Sequence, residues 1–116
     1  MPLKSLKPLF TAAVLSLFAG FSHATIVQIE TSAGDIQVNL YDDTTPATVA
    51  NFLSYVTDGS YDDGYFHRSI PSFIVQGGGY YFTDTSDLTS VETITSKGSV
   101  VNEPKYSSVE GTIAMA

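Results

Sequence analysis

The apolar positions of this chain change period along its length, and each period predicts a different element. From Thr25 to Thr31 they alternate, with Val27 and Ile29 on one side and Gln28 and Glu30 on the other. Asp35–Tyr41 repeats the pattern, with Ile36, Val38 and Leu40 sharing a face. Alternation of period two predicts half-buried strands, and Ser32-Ala33-Gly34 between them supplies the turn of a hairpin. The period then lengthens. Val49, Phe52, Leu53 and Val56 fall at i, i+3, i+4 and i+7, the apolar stripe of a helix. Thr45 suits the N-cap, Pro46 suits the first helical position, where no N–H is needed, and Asp58-Gly59 ends the helix.

Beyond a turn-rich Ser60–Gly64, Tyr65–Ile70 predicts a strand, Pro71-Ser72 a break and Phe73–Gln76 a further strand. The pattern weakens from Gly77 to Ser99. Tyr80, Tyr81 and Phe82 are followed by threonine, serine and aspartate, as in a long surface loop. These three rings either shield a core or form an exposed patch, and the sequence does not choose. Gly111–Ala116 predicts one more strand, and because an apolar strand is an unusual terminus, the rest of the domain is expected beyond Ala116. There are no internal repeats. The reading is a mainly β domain with one helix.

The start of the chain is different in kind. Lys4 and Lys7 precede a mostly apolar run from Leu9 to Phe21, and Ser22-His23-Ala24 follows. A basic start, a short apolar middle and small residues at a cleavage site predict a secretory signal peptide over residues 1–24. The run is shorter than the ~20 apolar residues of a membrane span. The mature domain is then 25–116, with no membrane attachment after cleavage. The whole chain has 116 residues, 43% of them hydrophobic, enough for one domain with a core. Loss of Lys4 and Lys7 leaves three cations against twelve carboxylates, a net charge of −9 in place of −7. Nucleic acid and anionic membrane need clustered lysine and arginine, so neither is an expected partner. With no cysteine, disulfides, thiolate metal sites and a cysteine nucleophile are excluded.

The chemistry concentrates in Phe66-His67-Arg68-Ser69-Ile70-Pro71-Ser72-Phe73-Ile74-Val75-Gln76-Gly77-Gly78-Gly79. An arginine among aromatic and aliphatic side chains is costly unless its charge is paired or faces a cleft. Arg68 is therefore the first candidate, against the plainer reading of a guanidinium paired with a surface carboxylate. By composition alone Phe73 and Ile74 read as core residues. If Phe73–Gln76 is a regular strand, Phe73 and Val75 share one face and Ile74 and Gln76 the other. Both faces line one pocket only where the strand bends, which Pro71 and the glycines allow. His67 follows as a structural histidine rather than a base, since neighbours in a strand face opposite ways. Asp58, Asp62 and Asp63 lack the spacing of a calcium loop and read as a solvated turn. Gly77-Gly78-Gly79, with no following lysine or helix start, reads as a tight backbone turn. No metal and no cofactor are expected.

The run Phe66–Gly78 closely resembles the signature of cyclophilin-type peptidyl-prolyl cis-trans isomerases. Pro46-Ala47-Thr48-Val49-Ala50-Asn51-Phe52 resembles that family's first helix, and Ser60-Tyr61-Asp62-Asp63-Gly64 the turn before its signature strand. Asn102-Glu103 and Gly111-Thr112-Ile113-Ala114-Met115-Ala116 resemble two later segments in the same order. The signal peptide and the short loop before Asn102 are most similar to periplasmic bacterial members. The resemblance implies a closed antiparallel eight-stranded β-barrel capped by two helices, of which this chain supplies the first helix and about half of the strands. Ser72 stands where the family usually has glycine, Ile74 where methionine is common and Gly79 where aspartate is frequent. The first two departures are expected to be mild.

The activity implied is rotation about X–Pro bonds in unfolded or exported polypeptides. The resemblance gives Arg68 the catalytic role, makes Phe73 and Ile74 walls of a proline pocket, sets Gln76 to hydrogen-bond the substrate backbone and has Ala116 receive the substrate strand. For Gln76 the plainer reading is a solvated strand end. The chain is expected to be a monomer, with cyclosporin-type compounds as further ligands. Two other readings stand beside catalysis: a non-catalytic chaperone or peptide-binding module, and an inactive truncated product.

Overall fold

A computed structural model describes residues 24–116, so the signal-peptide expectation falls, but for its last residue, outside the described part. The chain divides into two units at Leu40–Tyr41. In the first, β1 (Ile26–Thr31) and β2 (Gly34–Asn39) form an antiparallel hairpin, with Ile26 opposite Asn39 and Thr31 opposite Gly34. Ser32 and Ala33 make the two-residue turn, and the Ala33 N–H donates to Thr31 Oγ1 at 3.2 Å. Gly34 takes φ +126°, open to glycine rather than to L residues. The alternation is borne out in part: Val27 and Val38 are buried and directly opposite each other, and Leu40 is buried just beyond β2, but Ile36, expected on the same face, is exposed.

The second unit holds α1 (Pro46–Thr57), β3 (Gly64–Ile70), β4 (Ile74–Phe82) and β5 (Val91–Thr93). Strands β3, β4 and β5 form one antiparallel sheet in that order. The helix has the predicted bounds, with Pro46 in its first turn, but two details differ. Thr45 makes no side-chain cap; its hydroxyl donates backwards to the Tyr41 carbonyl at 3.0 Å. The buried helix residues are Val49 and Tyr55, and Tyr55 lies outside the predicted stripe. Its ring stacks on Tyr61 at 5.5 Å between centroids, and Tyr61 also meets Phe52 at 5.5 Å. An aromatic cluster, rather than an aliphatic stripe alone, therefore covers the inner face of α1.

The glycines do not make a turn. β4 runs straight through Gly77-Gly78-Gly79, and the β3–β4 register shifts there. Gly64 pairs with Tyr81 and Phe66 with Gly77, so two steps on β3 oppose four on β4. The surplus is a bulge, which a residue of positive φ accommodates, and Gly78 has φ +83°. Close approach adds to the requirement: a Cβ on Gly77 would lie 2.8 Å from the Phe66 ring. Strand β5, within the stretch read as loop, pairs with the end of β4, Thr93 opposite Tyr80. The predicted strand at Gly111–Ala116 is absent; among the described residues nothing pairs with it, and Ile113 is exposed. Neither sheet closes on itself, so the expected closed barrel is not formed among the described residues.

Candidate active site

The signature segment folds as the β3–β4 hairpin. Ile70 pairs with Ile74, Ser69 with Val75 and Arg68 with Gln76. Residues directly opposite in an antiparallel ladder share a face, so Arg68, Ile70, Ile74 and Gln76 lie together. The connection is Pro71-Ser72-Phe73, closed by the Phe73 N–H donating to the Ile70 carbonyl at 3.1 Å. Phe73 therefore belongs to the loop and not to the strand, as the sequence had it. This removes the conflict between two strand faces, because Ile74 and Gln76 share Arg68's face while Phe73 reaches out from the tip. Ser72 has φ +60°, the left-handed region. Its exchange for the family's glycine is thus less mild than the residue types imply, since an L residue there costs about 1–2 kcal/mol.

Arg68 is exposed, and its Nη1 lies 3.3 Å from Gln76 Oε1. Among the described residues no carboxylate pairs with it. The reading as a surface ion pair is thereby removed, and four of the guanidinium's five donors stay open to a ligand. Phe73 is 70% exposed, an unusual state for a large aromatic ring. Ile74 and Gln76 are half-buried. The structure thus brings Arg68, Ile74 and Gln76 to one ladder with Phe73 at its turn. It does not bring Ala116 there: that residue is exposed and outside any strand.

His67 is set apart from this group. The register slips between Phe66 and Arg68, so simple alternation fails at His67. Its place is fixed instead by an edge-on contact with Tyr80, 5.2 Å between centroids. Tyr80 and Phe82 also stack on Tyr65, at 6.2 and 4.7 Å. The rings the sequence left undecided are therefore packed across β3 and β4, with Tyr81 donating instead to Glu92 on β5 at 2.9 Å. The Tyr81 phenol is raised above its usual range by that carboxylate. An open cleft of about 530 Å³ lies elsewhere, lined by residues that include Asp62, Asp63, Tyr81 and Ile94, and no predicted site residue reaches it. Asp58 is engaged by Lys97 at 2.5 Å and by Ser60, which together hold its carboxyl at about 2. No set of three histidine, aspartate or glutamate side chains among the described residues could hold a metal ion. No described helix is long and apolar enough to cross a membrane.

Two residues escaped the sequence reading. The Glu103 carboxylate accepts from the Thr48 N–H at 2.7 Å, the Thr48 hydroxyl at 2.7 Å and the Ala47 N–H at 3.4 Å. It caps α1 from more than fifty residues away, and these donors hold its carboxyl below the usual range, the Thr48 N–H most strongly. Lys97 serves the other end of α1, its Nζ donating to the Ser54 carbonyl at 2.9 Å. Asn102-Glu103 was a signal only through the resemblance; Lys97 gave none.

The family model described as cyclophilin type peptidyl-prolyl cis-trans isomerase matches residues 26–116. The chain belongs to the cyclophilin family. It is 42% identical over 111 residues to peptidyl-prolyl cis-trans isomerase A of Dickeya dadantii, covering 89% of this chain and 54% of that protein. It is 34% identical over 94 residues to a peptidyl-prolyl cis-trans isomerase of Acinetobacter baylyi, covering 79% of this chain and 46% of that relative. Peptidyl-prolyl cis-trans isomerase B of Escherichia coli is 46% identical over 55 residues, 47% of this chain and 34% of its own length. The chain thus spans about half the length of the first two of these relatives. No solved structure matches it. Among the described residues, the mainly β arrangement with a single helix agrees with part of a cyclophilin fold.

Proposed function

We propose that this cyclophilin chain is the N-terminal part of a peptidyl-prolyl cis-trans isomerase that speeds X–Pro rotation in exported polypeptides. The observation that carries the reading is Arg68 beside Gln76, without a carboxylate partner among the described residues, on the hairpin whose tip bears a bare Phe73. Resonance gives the peptide bond a barrier of ~18–20 kcal/mol, so uncatalysed X–Pro exchange takes tens to hundreds of seconds. No bond needs to break. The twisted amide regains a nitrogen lone pair, and a guanidinium donates to that lone pair more strongly than to the planar amide, which lowers the barrier. Gln76 steadies the guanidinium and offers its own amide group to the substrate backbone. Phe73 and Ile74 supply apolar surface for the pyrrolidine ring. Names of the relatives as isomerases support catalysis over a purely binding role.

The same reading includes export to the periplasm with residues 1–24 removed, action as a monomer and cyclosporin-type compounds as competing ligands. A protease-coupled assay with a proline peptide tests the chemistry. A charged hydrogen bond made in the transition state is worth about 1.5–3 kcal/mol, so Arg68→Ala lowers kcat/KM about 10- to 150-fold. Equal rates for wild type and Arg68→Ala, or no acceleration by either, would defeat the proposal. Amino-terminal sequencing of the exported product tests the cleavage after Ala24.

A further inference from the structure

Lys97 and Glu103 sit on one short segment that follows β5, and they engage opposite ends of the same helix. Glu103 meets the first turn of α1 through the Ala47 and Thr48 amides. Lys97 meets the last turn through four contacts. Its Nζ donates to the Ser54 carbonyl and pairs with Asp58, and it lies 4.9 Å from the centre of the Tyr55 ring. Its backbone N–H donates to the Tyr55 hydroxyl at 2.7 Å. The segment therefore runs antiparallel to α1. Both charges have the sign that the helix dipole favours, an anion at the N-terminus and a cation at the C-terminus. Six extended residue steps reach ~20 Å at most, and a helix of twelve residues is ~18 Å long, so one straight segment suffices to touch both ends.

We propose that residues 97–103 form a two-ended clasp on α1, in which loss of either charged end loosens the other. Ordinary helix caps act alone, each supplied by its own local residue. Here the two caps share one backbone, and that segment has neither helix nor ladder to hold it between them. Fixing one end removes most of the freedom of a six-residue tether, so the second contact forms at high effective concentration. Release of either end therefore frees the chain that leads on toward Ala116. The charged groups facing the two ends are Lys105 near Glu103, and Asp58 near Lys97.

Cross-end effects test the clasp. Amide hydrogen exchange at Ala47 and Thr48 reads the Glu103 end, and limited trypsin cleavage of the Lys97–Gly98 bond reads the other. Glu103→Ala is expected to speed cleavage at Lys97 several-fold, although it removes nothing that Lys97 touches. Asp58→Asn, which leaves an acceptor for Ser60, is expected to speed exchange at Thr48 several-fold. Amides of Ser69 and Val75 in the β3–β4 ladder serve as the reference and keep wild-type exchange. Should Glu103→Ala fail to fold by that reference, Glu103→Gln is read in the same way and gives a smaller change of the same direction. If each variant disturbs its own end and leaves the other at the wild-type rate, the two residues are separate caps and the clasp is overturned.

Discussion

Ser72 offers the sharpest test of the hairpin that carries the candidate site. It occupies φ +60° in the three-residue connection between β3 and β4. The left-handed region brings Cβ against the neighbouring carbonyl, at a cost of about 1–2 kcal/mol for an L residue. Glycine escapes this clash but loses more chain entropy on folding, about 0.5–1 kcal/mol. Ser72→Gly should therefore stabilise the chain by about 0.5–1 kcal/mol. In a domain of this size each kcal/mol moves Tm by about 4–8 °C, so the expected rise is roughly 2–8 °C in a melt followed by far-UV circular dichroism. Two controls separate backbone from side chain. Ser72 has no side-chain hydrogen bond to lose, so Ser72→Ala keeps the left-handed cost and leaves Tm nearly unchanged. Ser72→Val adds a β-branch where positive φ tolerates it least and lowers Tm. An unchanged or lower Tm for Ser72→Gly, with Ser72→Val melting like wild type, would refute the assignment of strain to this residue. The result bears on function because the same turn holds Phe73 exposed at the tip of the hairpin that carries Arg68.

Other outcomes follow from named contacts. Tyr55→Phe strands the Lys97 N–H at the edge of the aromatic cluster and should cost about 1 kcal/mol, measured by urea denaturation. Gly78→Ala places a side chain at φ +83° with its Cβ 3.1 Å from the Tyr61 ring, and should cost about 1–2 kcal/mol in the same experiment. The Thr48 and Ala47 donors hold the Glu103 carboxyl below the usual carboxylate range, so its contribution is complete above the unfolded value and is lost as pH falls through the lower folded one. Urea midpoints recorded from neutral pH down to about pH 3 should accordingly fall less steeply in Glu103→Gln than in wild type; parallel curves would contradict the cap.

What the sequence made legible was what neighbours in the chain decide. Alternation located β1 and β2 because register is enforced by Val27 and Val38, eleven positions apart and joined through a tight turn. Pro46 and Asp58 bounded α1 for reasons contained in one or two peptide units. The failures share the opposite property. Gly77-Gly78-Gly79 announced unusual backbone, but a turn and a bulge both use positive φ, and what separates them is whether β3 lies opposite. Three residues of β5 were invisible because only their pairing with β4 makes them a strand. Ile113 and Met115 carry a strand's composition, but among the described residues no strand pairs with them.

The candidate site divides along the same line. Arg68 and Gln76 stand eight positions apart, and a three-residue connection alone brings them face to face. Phe73 was misplaced onto the strand because sequence shows that a break exists at Pro71-Ser72 and not how many residues it takes. Counting Phe73 into the loop frees it from the alternation of β4, and a single ladder face then suffices for the cation, the amide and the aliphatic wall. The arrangement makes Pro71-Ser72-Phe73 the element on which geometry depends. A change in its length by one residue would turn Ile74 and Gln76 to the far side of the sheet from Arg68, with every side chain kept. Insertion of one glycine after Ser72 should therefore abolish X–Pro catalysis while leaving β1–β2 exchange protection intact. Undiminished catalysis by that insertion would mean that the shared face is not what the reaction uses.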